Sequence, residues 1–287
     1  MAIGRRAGKQ GGTYADGAAS VSYAVPDGVV AGDLLVVCVG MTKDGASDPF
    51  AAGDISIAGT ATVGTWSLDA SDEYPNFAAT YDRYTAVYSA IVTGTGTCTV
   101  TVANGTGYYL IGVQCLTGNW DASRLEDSAS AHGTAASHGT GVVNSAGAAA
   151  MVAVMHLTPT SDVTITEDDA WSLIYERGVA NSGGGSVVDQ VVADATEGEA
   201  TWTISGTSNT SQCAAVYREA ISGSLASTLG ALTLAAAATV AIAGSATPTL
   251  GAVSSAGTGT VALSGTATST LDAVTVGASG TVGASGV

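Results

Sequence analysis

The chain has 287 residues, of which only 11% are charged, and it carries a formal net charge of -16. Binding to nucleic acid phosphates requires a basic patch, so this balance excludes nucleic acid as a partner. The composition is rich in Gly, Ala, Ser, Thr and Val, with short apolar runs between turn residues. This pattern favours an all-β fold.

Residues 1–18 are predicted to form a glycine-rich, basic N-terminal arm. Arg5, Arg6 and Lys9 lie in this arm and are three of the eight basic residues of the chain. Such an arm is either flexible or becomes ordered on an acidic partner, which makes the three residues candidates for attachment to an acidic particle surface. No apolar stretch follows them, so we expect no secretory signal peptide and synthesis in a cytoplasm.

Residues 19–220 are predicted to form a jelly-roll-like β-sandwich, because short strand-like runs alternate with turns throughout. Asp33–Met41 and Gly107–Leu116 are apolar almost throughout, as expected of central strands covered on both faces. Tyr84–Val92 and Thr97–Val102 alternate in hydrophobicity. The remaining predicted strands are Val21–Val25, Ala149–Leu157, Val163–Thr166, Trp171–Tyr175, Val187–Val192, Ala200–Ser205 and Cys213–Tyr217.

The two halves of this region resemble each other. Asp33–Met41 corresponds to Ala149–Leu157, and the triplet Trp66-Ser67-Leu68 returns as Trp171-Ser172-Leu173. In the same order, Thr97–Gly107 and Gly107–Leu116 correspond to Ala200–Asn209 and Ser211–Ala220. The order favours one sandwich built from two similar sets of strands. A β composition shared by unrelated strands is the alternative.

The four cysteines are spread along the chain without CxxC spacing. Cys38, Cys98, Cys115 and Cys213 each lie in an apolar, strand-like run. We expect free, buried thiols that act as small hydrophobic side chains. Disulfides are the alternative, although a chain of this length does not need them.

No motif predicts an enzyme, a cofactor or a metal site. His132 and His138 lie in a predicted loop, His156 lies in an apolar strand, and no G-x-S-x-G elbow supplies a nucleophile. The acidic clusters Asp72-Glu73 and Glu167-Asp168-Asp169 are expected to be solvated loops. A glycosidase carboxylate pair and a calcium site are their alternatives, although the Asp-x-Asp spacing of calcium loops is absent.

Aromatic residues concentrate between positions 74 and 88. Sugars stack on exposed aromatic faces, so Tyr74, Tyr81 and Tyr84 are candidates for contact with a glycan. The alternative is that these side chains belong to the core of a sandwich strand.

Residues 221–287 consist of a repeat of twenty-one residues. Three consecutive windows align without a gap, and each is predicted to contain two short strands separated by small-residue turns. The windows are Gly223–Ala243, Gly244–Ser264 and Gly265–Ser285. One such unit cannot bury enough apolar surface to fold alone, so it must stack on neighbouring units or pack against other chains.

Ten aliphatic residues are predicted to mediate stacking and oligomerisation in these repeats. From Ala220 onward Asp272 is the only charged residue, which favours an ordered, multi-chain β shaft over a flexible tail. A membrane helix over Leu225–Ile242 is a third alternative, which the Thr, Ser and Gly interruptions disfavour. The ten residues are Leu232, Leu234, Val240, Ile242, Val253, Val261, Leu263, Val274, Val276 and Val282.

Two stretches resemble structural proteins of tailed bacteriophages. Val25–Val37, with the sequence VPDGVVAGDLLVV, resembles the start of their β-sandwich domains. The repeats, TLGALTLAAAATVAI and its copies, are similar to Thr-Leu-Gly-Ala-Leu repeats of tail fibre and minor structural proteins. The resemblance implies a virion protein made in the host cytoplasm, assembled as a homotrimer and bound to other virion proteins. It implies no catalytic residues.

The leading hypothesis is therefore a non-enzymatic fibre or appendage protein of a phage virion. The alternatives are a capsid or head decoration protein and an adhesin that binds a glycan on the host surface. An enzymatic alternative is a depolymerase or glycosidase, in which Asp72 would act on a host polysaccharide.

Overall fold

The computed structural model describes residues 3–44, 49–75, 81–157, 161–179 and 184–220, together with eight short strands between residues 232 and 285. The chain divides into two compact units, Met1–Ala220 and Ile221–Val287. Apart from one 3-10 turn, η1 (Ala52–Asp54), every assigned helix or strand in these residues is a β-strand. The prediction of an all-β sandwich fold is confirmed.

The first half of Met1–Ala220 forms a six-stranded antiparallel sheet, called sheet 1. Its strands run in the spatial order β1, β9, β3 and β7, and both β5 and β6 pair with the free edge of β7. The strands are β1 (Gly4–Ala18), β3 (Leu34–Asp44), β5 (Thr62–Val63), β6 (Ser67–Tyr74), β7 (Tyr81–Gly94) and β9 (Gly107–Thr117).

The second half forms another six-stranded antiparallel sheet, called sheet 2. Its spatial order is β10, β17, β12, β15 and β14, with β13 on the first part of β17. The strands are β10 (Leu125–Gly139), β12 (Ala149–Leu157), β13 (Ile165–Glu167), β14 (Ser172–Arg177), β15 (Gly184–Val192) and β17 (Thr201–Arg218). The predicted strands Ala200–Ser205 and Cys213–Tyr217 are thus parts of one long strand.

Two small sheets lie on the outer faces of the large ones. The sheet β2–β8–β4 packs on sheet 1, and the pair β11–β16 belongs to the second half. These strands are β2 (Val21–Ala24), β4 (Ile55–Gly59), β8 (Cys98–Val102), β11 (Val143–Ser145) and β16 (Thr196–Gly198).

The central strands are apolar on both faces because each large sheet is covered twice. In β3, the even-numbered residues from Leu34 to Cys38 face sheet 2, and the odd-numbered residues from Leu35 to Val39 face the small sheet. β12 alternates in the same way between the inter-sheet core and an outer core that contains Trp202. The prediction that Asp33–Met41 and Gly107–Leu116 are strands covered on both faces is confirmed, since β9 also contributes to two cores.

The two halves share strand order and also local irregularities. Ser67 and Leu68 of β6 pair with β7 directly before a bulge, and Ser172 and Leu173 of β14 pair with β15 directly before a bulge at the same place. A bulge is a specific feature of a strand pair rather than a result of composition. The similarity between the halves therefore extends to register, and the first half can be aligned with the second residue by residue.

At one point of the interface between the two halves, a residue of the first half contacts its own counterpart in the second half, and one of the two is a glycine. Aligning the bulges makes Gly40 of β3 the counterpart of His156 of β12. A Cβ atom added to Gly40 would lie 2.4 Å from the Cβ of His156. The imidazole of His156 thus packs directly over the backbone of β3, and a side chain at position 40 would collide with it.

The segment Gly4–Ala18 forms edge strand β1 and pairs with β9 along most of its length. The expectation of a flexible or partner-ordered arm differs from this structure. The glycines that suggested flexibility accommodate irregular pairing instead, since Gly8 and Gly17 have positive φ angles and lie where the register shifts.

Ile221–Val287 contains parallel ladders with a constant offset of twenty-one residues. Leu232 pairs with Val253 and Val253 with Val274, so each repeat position lies beside the same position of the next repeat. The three ladders are β18–β21–β24, β19–β22–β25 and β20–β23. Their strands are β18 (Leu232–Leu234), β19 (Thr239–Ala243), β20 (Thr249–Leu250), β21 (Val253–Ser255), β22 (Thr260–Ser264), β23 (Thr270–Leu271), β24 (Val274–Val276) and β25 (Thr281–Ser285).

All ten aliphatic residues predicted to mediate oligomerisation lie in these ladder strands, and their role between chains stays a prediction. Each window contains the two predicted strands, and the second and third windows also contain a short third strand, Thr249–Leu250 or Thr270–Leu271. Within these strands, successive repeats of one chain pair with each other, as in a solenoid.

Substituting Gly40 by Ala should destabilise the protein, because His156 would have to move in a packed interior. We expect a loss of about 1–3 kcal/mol in the free energy of unfolding, measured by urea denaturation at neutral pH. Gly133→Ala is the matched control, since Gly133 also lies in a strand but a Cβ atom added there would meet no other atom within 4 Å. Equal stability of the two variants would contradict the proposed contact.

Candidate functional site

An edge cluster forms where β6 of sheet 1 meets β10 of sheet 2. The Nδ1 of His132 lies 3.1 Å from the Oδ1 of Asp72, and the His132 ring stacks on Tyr74 with centroids 4.9 Å apart. The hydroxyl of Tyr74 is 3.1 Å from the Oγ1 of Thr134. The side chain of His132 is 46% exposed, whereas that of Asp72 is 8% exposed. The cluster therefore presents a half-exposed imidazole above a nearly buried carboxylate.

Ser211 extends this edge cluster into the interior. Its Oγ donates to the Oδ2 of Asp72 at 2.8 Å and lies 2.9 Å from the Oγ1 of Thr85. A hydrolytic triad places the histidine between the hydroxyl and the carboxylate. Here the carboxylate of Asp72 lies between Ser211 and His132. The Ser211 hydroxyl is therefore bonded to the carboxylate itself and not to the imidazole of His132, which differs from the order of a hydrolytic triad.

A second edge cluster lies at the opposite side of the interface, between β1 and β14. The guanidinium of Arg177 stacks on the ring of Tyr14, 3.0 Å from its centroid, and its Nη2 donates to Asp16 at 3.2 Å. In the alignment of the halves, Tyr14 corresponds to His132 and Arg177 to Asp72. The positions of Tyr14 and Arg177 at one edge thus correspond to those of His132 and Asp72 at the other. Equivalent positions join the two sheets at both edges, as expected of interface contacts.

Each half also sends one arginine into the other half. The Nε of Arg5 donates to the Oδ2 of Asp189 at 2.5 Å, and the Nε of Arg124 donates to the Oγ of Ser89 at 2.9 Å. Asp189 is the counterpart of Ser89. Burial raises the pKa of the Asp189 carboxyl, and Arg5 opposes this shift. A buried carboxylate needs such a partner, and Arg5, whose side chain is 34% exposed, supplies it from the edge of the interface.

The three basic residues predicted to attach the protein to a particle all lie in β1. Arg5 binds Asp189, and Arg6 makes two hydrogen bonds to the carboxylate of Asp33, which is 2% exposed. The Nζ of Lys9 donates to the carbonyl of Pro26 at 3.0 Å in an exposed contact. The two arginines are therefore committed to internal carboxylates, and attachment through this segment stays a prediction that concerns Lys9 most directly.

Of the three tyrosines predicted to contact a glycan, Tyr84 is a core residue. It is 1% exposed and packs edge-on against Phe50, with ring centroids 6.3 Å apart. It therefore offers no face to a sugar, because the strand that carries it is covered on both sides. Tyr74 lies in the edge cluster described above, and the side chain of Tyr81 lies outside the described residues.

The histidines lie in strands, and two of them are buried. His132 and His138 belong to β10, so the predicted loop is wrong for both. The Nδ1 of His138 is 2.7 Å from the Oγ1 of Thr210, and burial lowers the pKa of His138. His156 is fully buried, 2.9 Å from the Oγ1 of Thr42. Burial, aided by the charge of Arg83, lowers the pKa of His156 to about 3, so its ring is neutral.

The acidic residues Glu167, Asp168 and Asp169 were considered as a calcium site, but Glu167 and Asp168 bind different partners. Asp168 accepts a hydrogen bond from the backbone N of Ala170, and Glu167 accepts one from the hydroxyl of Ser186 at 2.8 Å. Burial, together with a hydrogen bond to Glu167 and its charge, raises the pKa of Glu176 to about 7. Within the part of the chain that the structure describes, no three His, Cys, Asp or Glu side chains are grouped so as to hold a metal ion.

All four cysteines are buried and unpaired, as predicted. Burial raises the pKa of Cys115 and of Cys213 to about 12. Both thiols therefore stay protonated at neutral pH, which makes them poor nucleophiles.

A polar cluster at the end of β3 has no counterpart among the residues predicted from the sequence. The Nζ of Lys43 lies 2.6 Å from the Oδ1 of Asn104, whose Nδ2 donates to the Oδ2 of Asp54 at 2.8 Å. One signal was present, since Lys43 continues the apolar run of β3 and is therefore drawn into the interior. No pattern in the sequence connects it to Asn104, which lies 61 residues further along the chain.

Comparisons with protein-family models, with curated proteins and with solved structures found no match to this chain. Among the described residues, none belongs to a helix of the length and hydrophobicity needed to cross a membrane.

The neutral state of His156 predicts a loss of stability in acid. Between pH 6.5, its ordinary pKa, and about pH 3, the unfolded chain binds a proton at this residue that the folded chain does not. Stability should therefore fall as the pH is lowered through this window, by up to about 1.4 kcal/mol per pH unit. Urea denaturation at several pH values measures this slope.

His156→Gln should remove that part of the slope, whereas His132→Gln at the exposed edge should retain it. Buried carboxyls titrate equally in all three proteins, so the difference between them isolates His156. The same slope in the wild type and in His156→Gln would refute a neutral, buried His156.

Replacing Tyr84 by Ala should cost about 3 kcal/mol or more in the free energy of unfolding, because it empties a large core site. Tyr74→Ala at the partly exposed edge should cost about 1 kcal/mol or less. Urea denaturation compares the two. A Tyr84→Ala variant as stable as the wild type would contradict the core placement and restore Tyr84 as a candidate binding residue.

Proposed function

We propose that this protein is a non-enzymatic structural component of a phage virion, a fibre or appendage protein that assembles as a homo-oligomer, most simply a homotrimer. The observation that carries the proposal is the constant twenty-one-residue offset of the parallel ladders in Ile221–Val287. A segment built this way becomes longer by one coil with each added repeat, as expected of a shaft.

The charge of the repeats favours association between chains. Asp272 is the only charged residue from Ala220 to Val287, whereas exposed surfaces of soluble domains typically contain about 25–35% charged residues. Stacked coils with so little charge expose uncharged surface unless something covers it. Identical copies packed side by side would cover this surface, and their small Gly, Ala, Ser and Thr residues permit close approach.

The sandwich contributes rigidity rather than visible chemistry to this proposal. Its buried polar groups are joined to one another across the two large sheets, as in the contacts Arg5–Asp189 and Ser211–Asp72. The assignment to a phage virion rests on the resemblance of Val25–Val37 and of the repeats to phage structural proteins. Other virion proteins are then the expected partners.

The solution mass of the full chain tests the proposal. We expect light scattering to give the mass of a trimer for the full chain and of a monomer for a version that ends at Ala220. A monomeric full chain would refute assembly through the repeats and favour the alternative of a decoration protein that is ordered on its particle.

Two deletions separate the effect of register from that of length. Removing Gly244–Ser264 deletes one whole repeat and keeps every ladder in register, so association should persist. Removing Gly244–Val253 deletes fewer residues but breaks the offset, so association should be lost. The reverse result would rule out stacked coils as the basis of assembly.

A further inference from the structure

A Lys–Asn–Asp cluster, in which Lys43 and Asn104 are buried and Asp54 is partly exposed, connects sheet 1 to the small sheet that covers it. Lys43 lies near the end of β3 in sheet 1, Asn104 follows β8 of the small sheet, and Asp54 ends η1 directly before β4. Lys43 is 6% exposed and Asn104 is 7% exposed. A buried amine and a buried carboxamide are thus held next to the partly exposed carboxyl group of Asp54.

The backbone around Asn104 and Asp54 fixes these two side chains. The N–H of Asn104 donates to the hydroxyl of Tyr109 at 2.9 Å, and that hydroxyl donates to the carbonyl of Gly105 at 2.6 Å. The carboxylate of Asp54 accepts a hydrogen bond from the N–H of Ala51 at 2.7 Å. In addition, the N–H of Ala103 donates to the carbonyl of Asp54. The carboxamide and the carboxyl group are therefore positioned before any reaction begins.

Aromatic side chains shield the amine. The Nζ of Lys43 lies 5.2 Å from the centroid of the Tyr84 ring, and Phe50 packs against the same ring. Exclusion of water favours reaction with a neighbouring group over hydrolysis of the amide. Because Nζ is 2.6 Å from Oδ1, the carbonyl carbon of Asn104 is only one bond further away. A small rotation of the Lys43 side chain would bring Nζ over that carbon.

We propose that Lys43 and Asn104 form an intramolecular isopeptide bond, with Asp54 as the proton-transfer group. Nζ, as the free amine, attacks the Cγ of Asn104, so that an Nζ–Cγ bond forms and the Cγ–Nδ2 bond breaks. Asp54 lies on the side of the leaving group, where its carboxyl group can protonate Nδ2 and is replenished by a proton lost from the attacking nitrogen. The lysine ammonium gives up one proton to become the attacking amine, and the departing ammonia takes up one proton to become an ammonium ion. An ammonium and a carboxamide thus become a secondary amide and an ammonium ion, and no oxidant or reductant is required.

The fold itself does not require this cluster. In the second half, which has the same strand order, Asp54 corresponds to Thr164 and Asn104 to Gly206. The carboxyl group and the carboxamide therefore occur in one copy of the architecture and are replaced in the other. This difference favours a specific role for the cluster over a general role in building the sheets. The inference does not depend on the proposed function.

The intact mass of the denatured, full-length protein tests the bond. We expect the measured mass of the wild type to be lower than the mass calculated from its sequence by one ammonia molecule. A protease digest should contain a branched peptide that joins Lys43 to Asn104. Lys43→Arg and Asp54→Asn should have the full mass calculated from their sequences. Lys9→Arg is the matched control, since it replaces the other lysine of the chain, and it should retain the loss.

The Lys43→Arg variant also distinguishes the isopeptide from a succinimide. Asn104 precedes Gly105, and attack by the backbone N of Gly105 on Asn104 would release ammonia without Lys43. Retention of the mass loss in Lys43→Arg, or absence of the branched peptide from the wild type, would overturn the proposal. So would a folded wild type that keeps its full calculated mass after prolonged incubation, with folding checked by circular dichroism.

Thermal unfolding supplies a measurement that a mass spectrum does not. Closing the chain between Lys43 and Asn104 restricts the unfolded state, so the Tm of the wild type should exceed that of Lys43→Arg by on the order of 10 °C. The Lys9→Arg control should unfold at the temperature of the wild type.

Discussion

The covering of both faces of both large sheets is the constraint on which the sandwich depends. β3 and β12 are apolar on both sides because no face of them reaches water, so each contributes to two cores at once. A polar side chain on such a sheet must find its partner inside the protein. Arg5 and Arg6 supply that partner to Asp189 and Asp33, which are nearly inaccessible to solvent. The glycine-rich first strand is therefore part of the core's charge balance.

The two units solve the problem of unpaired backbone in different ways. The sandwich uses antiparallel strands of unlike sequence, and its edges are joined by side-chain clusters such as Asp72–His132 and Arg177–Tyr14. The repeats use short parallel strands, in which each position lies beside its own copy. The first solution needs particular polar pairs, while the second needs only a constant period. This difference accounts for the charge-poor, simple composition of the last residues of the chain.

The sequence predicted those parts of the fold that depend on local pattern. Asp33–Met41 and Gly107–Leu116 were recognised as central strands because continuous apolar runs require cover on both sides, and the repeat period gave the ladders their register. β1 and β10 were not predicted because they are edge strands rich in Gly, Ser and Ala, and edge strands need little hydrophobicity. The placement of Tyr84 was ambiguous in the sequence. The alternating hydrophobicity of its strand is compatible with one covered face or with two.

The polar clusters could not be predicted because they depend on tertiary contacts. Lys43, Asp54 and Asn104 are separated by strands whose pairing brings them together, and each residue alone suggests only a turn or a solvated end. His132 and Asp72 likewise meet only because two sheet edges converge. Spacing along the sequence contains no information about such encounters.

The Gly40–His156 contact determines how the two halves fit each other at the centre of their interface. A residue that touches its own counterpart lies on the axis that relates the two halves, as in the interface of a symmetric dimer. On such an axis two histidines would compete for one volume, and two glycines would leave a hole. The glycine–histidine pair therefore makes the interface asymmetric at its centre, so that neither half could replace the other. The two halves share strand order and register, but they are not interchangeable at this contact.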